Sequence, residues 1–259
     1  MILFPLPAFE DNYIWIIEDK DSSDIWAVDP GSAKAVLNYC HENTKNLVGI
    51  LITHHHNDHT GGVAELKQYS KCPVYGPKHL TSLVTQPMSE GDYLDIFSRE
   101  FKVIETPGHT LDHLCYFSDS QQDKPILFSG DTLFKGGCGR IMEGTPELML
   151  TAMTKISVLP DDTLIYCTHE YTLANYRFAL SLEPENTDLI GSNIASKQQR
   201  ENNIPTLPSI LSLEKKTNPF LRTDNISVKT HAAQQLKEHL AQDSTSVFGQ
   251  VRRAKDSFS

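Results

Sequence analysis

The segment T-H-H-H-N-D-H at 53–59 brings His54, His56, Asp58 and His59 into one short stretch. That mixture is metal-ligand chemistry: imidazole and carboxylate suit zinc, iron or manganese, whereas calcium takes oxygen alone. Four candidate ligands so close together point to two neighbouring ions, not one closed tetrahedral site. A solvated His-rich tract would lack the embedded aspartate and would not follow a buried strand. Here the apolar run 47–52 precedes it, with the length and β-branched content of such a strand. Alternation past the strand end lets His54 and His56 share a face while His55 points away. Asp58 and His59 need a turn to reach the same point, and Gly61-Gly62 supplies flexible backbone beyond it.

Three further places repeat the order of strand, loop and metal-competent side chain. The run 101–106 leads into P-G-H-T with His109, 126–129 into G-D-T with Asp131, and 163–168 into H-E-Y with His169. Each alone reads as an ordinary turn or core histidine. Together they supply what the first cluster lacks, because ligands drawn from several strand ends are held by a rigid sheet yet stay accessible. His54, His56 and His109 then form one three-nitrogen site. Asp58, His59 and His169 form a second, with Asp131 bridging. Two divalent ions, two aspartates and a hydroxide leave residual positive charge for an oxyanion. His113 directly precedes a strand and reads as core or as support for a ligand. His79 reads as an exposed turn residue, and His41, His231 and His239 as ordinary helix residues.

The elements that must position these groups come in two textures. Up to about residue 170, strands are expected at 14–17, 25–28, 48–53, 101–106, 114–117, 126–129 and 163–168. Helices are expected at 33–41, 63–69 and 146–159, the last with Thr145 as N-cap and Pro146 at its first position. Beyond that, helices at 172–182, 187–202 and 228–242 are joined by connectors at Pro184, Pro205, Pro208 and Pro219. The expected organisation is a mixed α/β domain over 1–169 and a helical one over 170–259. A length of 259 residues allows ample core, and 39% hydrophobic with 22% charged residues is ordinary for a soluble protein. A net charge of −10 argues against a general nucleic-acid partner. Five scattered cysteines without a C-x-x-C pair fit reduced thiols in the cytoplasm. The apolar start lacks a basic region and is broken by Pro5 and Pro7, so no signal peptide is expected, and no run reaches membrane-spanning length.

The cluster, P-G-H-T, G-D-T-L-F and T-H-E-Y-T, in this order, resemble the metallo-β-lactamase superfamily. That resemblance implies an α/β fold, a four-layer αββα sandwich with a binuclear site at one edge of its sheets. Gly136–Thr145 (G-G-C-G-R-I-M-E-G-T), N-P-F-L-R at 218–222 and the tail V-R-R-A-K-D at 251–256 look like the glyoxalase II family, over essentially the whole chain. The likeness implies substrate contacts at Arg140 and Tyr171. It also implies that Arg252 and Lys255 hold the glycine carboxylate of a glutathione moiety. Met142 departs from the family pattern: animal members have a tyrosine there, and a thioether cannot donate a hydrogen bond.

The implied reaction is hydrolysis of S-D-lactoylglutathione and related 2-hydroxyacyl thioesters, the second step of methylglyoxal detoxification. The nucleophile is expected to be a hydroxide bridging two divalent ions held in part by Asp58 and Asp131, zinc first, with iron or manganese as alternatives. A thiolate leaving group, of pKa about 8.5, departs without a dedicated general acid. No G-x-S-x-G segment suggests a serine nucleophile. A nuclease of the same superfamily would want a broad basic groove, which the acidic composition does not offer. A diiron redox relative would carry a carboxylate in place of a histidine in the first cluster. A monomer in the cytoplasm, with no nucleic-acid or membrane partner, is the expected state.

Overall fold

The computed structural model describes residues 1–120 and 123–258. They divide into two compact units, Met1–Glu105 with Asp112–Gly130, and Thr106–Leu111 with Asp131–Ser259.

The first unit opens with a six-stranded sheet whose spatial order follows the chain: β1 (Ile2–Ala8), β2 (Asn12–Glu18), β3 (Asp24–Val28), β4 (Asn46–Leu51), β5 (Val74–Pro77) and β6 (Gln86–Met88). β1, β2 and β3 pair antiparallel, and β3 to β6 pair parallel. Parallel pairs need crossovers, supplied by α1 (Ala33–Asn43) and, between β4 and β5, by α2 (Asn57–Thr60) and α3 (Val63–Ser70). One sheet face packs Ile14, Ile16, Ile25, Ala27, Ile50 and Ile52 with Val36, Cys40, Val63 and Leu66 of the helices. Alternation sends Trp15, Ile17, Trp26 and Val28 to the other face, where they are buried too. β2 is accordingly buried at every position.

β7 (Tyr93–Ile96), β8 (Arg99–Glu105), β9 (Leu114–Ser118) and β10 (Ile126–Gly130) form antiparallel neighbours in that order. Tyr116 Oη donates to the Ile52 carbonyl at 2.7 Å, and Leu114 N donates to the Thr53 carbonyl at 2.8 Å. β9 is thus fastened to the end of β4, where the histidine cluster begins. β1, absent from the sequence expectations, is an edge strand. Its two prolines can sit there because an edge leaves backbone donors unclaimed by a ladder.

In the second unit, β11 (Leu133–Phe134) and β12 (Gly137–Cys138) pair, and α4 (Pro146–Ser157) follows. Thr145 caps α4 by accepting from Leu148 N, and Met149, Ala152, Met153 and Ile156 form its buried stripe. β13 (Leu164–Cys167) leads into α5 (Thr172–Leu182) and α6 (Thr187–Glu201). β14 (Ser209–Ile210) pairs back onto β13, and α7 (Leu211–Thr217), α8 (Ile226–Leu236) and α9 (Ser244–Ser257) complete the unit. The helix expected to 242 stops at Leu236, because Lys237 takes a left-handed conformation with φ 56°. The tail instead forms its own helix, α9, capped by Asp243 accepting from Ser246 N. No helix among the described residues is long and apolar enough to cross a membrane.

Candidate metal centre

In the first unit, the chain leaves β4 at Leu51 and makes one turn of helix, α2, which carries Asp58 and His59. That is the turn the spacing requires. His54 Nε2 lies 3.0 Å from His56 Nδ1, and His59 Nε2 lies 3.5 Å from Asp58 Oδ2. His55 points elsewhere, its Nδ1 2.9 Å from Asp112 Oδ1. His54 and His59 are fully buried.

Their orientation comes from Asp29, which directly follows β3 with φ 52°. Its Oδ1 accepts from Thr53 N, and its Oδ2 accepts from Thr53 Oγ1, both at 2.7 Å. Oδ2 also meets His59 Nδ1 at 3.0 Å, leaving Nε2 as the nitrogen for a metal. With its proton given to Asp29, Thr53 Oγ1 can accept from His54 Nδ1, 3.1 Å away. That sets His54 in the same tautomer. Asn12 Nδ2 donates to Asp58 Oδ2 at 3.0 Å. His113 is buried and stacks on His54, centroids 4.9 Å apart, which makes it a support for a ligand ring. Gly31 is dictated by space: a Cβ there would lie 1.9 Å from the Asp58 carbonyl oxygen. Gly61 and Gly62 have negative φ, so free torsion is not their role. A Cβ on Gly62 would lie 2.3 Å from Ala33 N.

The second unit carries His109, Asp131 and His169, all buried. Asp131 Oδ2 lies 3.4 Å from His109 Nε2 and 3.4 Å from His169 Nε2. Two ligands each about 2.0–2.1 Å from a tetrahedral ion stand about 3.4 Å apart, so this trio has ligand spacing about one shared oxygen. His109 Nδ1 donates to the Arg140 carbonyl at 2.8 Å, freeing Nε2 for a metal. The nitrogen and carboxylate donors of both units fit zinc, iron or manganese.

Beside this trio the same unit gathers cations. Tyr171 stacks flat on His169, centroids 4.6 Å apart and planes 3° apart, and is 37% exposed. The Arg140 side chain is 73% exposed, with Nε 3.8 Å from Asp256 Oδ1. Arg252 is buried on α9: Nη1 donates to the Cys138 carbonyl at 3.0 Å, and Nε to Asp256 Oδ1 at 3.1 Å. Its guanidinium also lies over the Phe220 ring, 5.0 Å from the centroid. Lys255 Nζ donates to the Ala174 carbonyl at 3.0 Å. Burial, and then repulsion from Arg252, Arg177 and Arg140, push the Lys255 ammonium down to about 8. Burial pushes the Cys138 thiol up to about 11, so it is no nucleophile at neutral pH. Met142 is exposed, and its backbone N donates to the His109 carbonyl.

Asp29, Asn12 and Asp256 escaped the sequence reading. Asp29 had a signal, since V-D-P-G repeats the strand, loop and carboxylate order used to find Asp131.

The family model of the metallo-beta-lactamase superfamily matches residues 23–169, and that of the hydroxyacylglutathione hydrolase C-terminus matches 170–258. A hydroxyacylglutathione hydrolase of Marinomonas sp. (strain MWYL1) is 71% identical, over 100% of both chains. One from Hahella chejuensis is 46% identical over 99% of each. Among solved structures, the BLEG-1 B3 metallo-beta-lactamase superposes with a TM-score of 0.62 at 22% identity, covering 85% of this chain and 98% of that one. The fold is therefore the α/β sandwich of metallo-beta-lactamases with an added helical C-terminal region.

Proposed function

This chain belongs to the metallo-beta-lactamase superfamily and, within it, to the hydroxyacylglutathione hydrolases, and from that we propose the chemistry of its site. It is a metal-dependent hydrolase of hydroxyacylglutathione thioesters, with S-D-lactoylglutathione as substrate and D-lactate and glutathione as products. Two divalent ions, zinc in the first instance, would be held by seven histidine and aspartate residues. His54, His56 and His109 hold one, Asp58, His59 and His169 hold the other, and Asp131 serves both. The observation that carries this reading is Asp131 Oδ2 at an equal 3.4 Å from His109 and His169. A carboxylate dedicated to a single ligand ring would not sit so. When bound, the ions acidify water to a pKa of about 7 and stabilise negative charge on the thioester oxygen.

The chain's own residues do the rest. Asp29 and Thr53 keep His54 and His59 in the tautomer that faces the metal, and the Arg140 carbonyl does so for His109. Arg140, Arg252 and Lys255 receive the glutathione carboxylates. Arg252 already donates to the Cys138 carbonyl and sulfur and to Asp256, which fixes its guanidinium in place as a cation for a substrate carboxylate. A substrate carboxylate beside Lys255 would offset the burial and the arginine repulsion that lower its pKa, so anion binding and lysine protonation favour each other. Tyr171, stacked on His169 and 37% exposed, would offer its phenol to the substrate. The glutathione thiolate, of pKa about 8.5, leaves without a general acid. The five cysteines are free and buried, which supports a cytoplasmic enzyme, and we propose a monomer.

Purified protein should consume S-D-lactoylglutathione while carrying about two ions per chain. Absence of thioester hydrolysis in fully metallated protein would overturn the assignment, and full activity with one stoichiometric ion would overturn the binuclear centre.

A further inference from the structure

A second group of imidazole and carboxylate lies within the first unit: His55, His79 and Asp112. They come from three backbone stretches, the loop after β4, the turn after β5 and the loop entering β9. His55 Nδ1 is 2.9 Å from Asp112 Oδ1, and His79 Nε2 is 3.2 Å from Asp112 Oδ2. One donor atom from each residue lies within 4.8 Å of the others. The backbone beneath them is pinned. Thr60 Oγ1 donates to the His55 carbonyl at 3.2 Å, Leu80 N to the Pro77 carbonyl at 3.1 Å, and Leu114 N to the Thr53 carbonyl at 2.8 Å.

Asp112 is the telling member. Its side chain is only 5% exposed, and its Oδ2 is met by the His79 imidazole at 3.2 Å but by no well-aligned hydrogen-bond donor. A carboxylate oxygen removed from water and left in that condition is costly unless a cation meets it. The two imidazoles that face it are 32% and 54% exposed, so the group is dry at the carboxylate and open at the rings. Three protein donors with an open side describe a site that completes its coordination with water.

We propose that His55, His79 and Asp112 bind a further borderline divalent cation such as Zn2+, in addition to the binuclear centre. Two nitrogens and one oxygen select zinc, nickel or copper over magnesium and calcium. Donors about 2.0–2.1 Å from a tetrahedral ion stand about 3.4 Å apart, a spacing the exposed His79 reaches by a small rotation. A bound ion would tie the loop that carries His54 and His56 to the turn after β5. The competing account is that protonated imidazoles alone neutralise Asp112.

The test is equilibrium dialysis of the tag-free holoenzyme against rising micromolar Zn2+, with metal and protein quantified on the same sample. Wild type should take up one equivalent more than His79→Ala and Asp112→Asn, with no such difference under Mg2+. His79 is exposed, so its variant should fold, and thioester hydrolysis at limiting zinc verifies that for both. Coincident zinc isotherms for wild type and His79→Ala would overturn the site. The proposal goes beyond the binuclear reading, and the tightly held ions common to all three proteins report on that centre separately.

Discussion

The Asp29 carboxylate holds the His59 imidazole at 3.0 Å while accepting the Thr53 amide and hydroxyl at 2.7 Å each. One buried anion therefore fixes the tautomer of His59 directly and of His54 through Thr53. Asparagine tolerates the same left-handed backbone, so Asp29→Asn preserves the turn while it removes the charge and replaces one of the two accepting oxygens with an NH2 donor. We expect that variant to lose metal affinity roughly 10–100-fold, as partners behind metal-ligating histidines generally do. Chelator competition on the folded protein measures it. Unchanged affinity would mean that the Asp29 contact is structural only.

Asp131 and His113 should separate cleanly. Asp131→Ala removes the oxygen that His109 and His169 share, and both ions should be lost or weakened together in elemental analysis. His113→Ala removes a buried ring stacked on His54, not a ligand. Metal content at saturating zinc should stay near that of wild type while stability falls by about 1–3 kcal/mol, the ordinary cost of a core truncation. Stoichiometric metal loss in His113→Ala would overturn the choice of His109.

The contrast between these residues also explains what the sequence could reveal. The strands that lead towards His54, His109, Asp131 and His169 were legible because buried apolar runs and their loop boundaries are local patterns. Asp29 was not recognised, although it too follows a strand, because an aspartate before Pro-Gly reads equally well as a turn residue. β1 was hidden by its prolines, which only an edge position accommodates. The end of α8 turned on Lys237 adopting positive φ, which a lysine does not advertise. The burial of Arg252 is tertiary in origin. It depends on the Cys138 carbonyl, distant in the chain, and no local pattern announces such a partner.

Tyr171→Phe keeps the ring on His169 and removes only the phenol. Loss of one neutral hydrogen bond should lower kcat/KM by about 0.5–1.5 kcal/mol, with metal content unaltered. Tyr171→Ala strips the stack as well and should lower kcat/KM further. Equal steady-state parameters for Tyr171→Phe and wild type would remove the hydroxyl from the substrate site.

The pH profile should report Lys255. Its folded pKa is lowered to about 8, so it is a cation below that pH and neutral above it. A glutathione carboxylate needs the cation, and hence the lysine's contribution to kcat/KM should be constant below about pH 7 and fall away as pH rises through 8, an alkaline limb distinct from the acid limb set by the metal-activated water. Bound substrate favours the protonated lysine, so the fall should appear as a rising KM while kcat stays level. Lys255→Met should remove this limb and raise KM across the neutral range by about 1.5–3 kcal/mol, the worth of a charge-assisted contact. Lys255→Arg keeps its charge far beyond pH 8 and should also lack the limb, whatever its absolute KM. Arg252→Ala should raise KM too, but with a lower melting temperature, since it abandons the Cys138 carbonyl and Asp256. A KM that stays constant from pH 7 to pH 9.5 in wild type would detach Lys255 from the substrate.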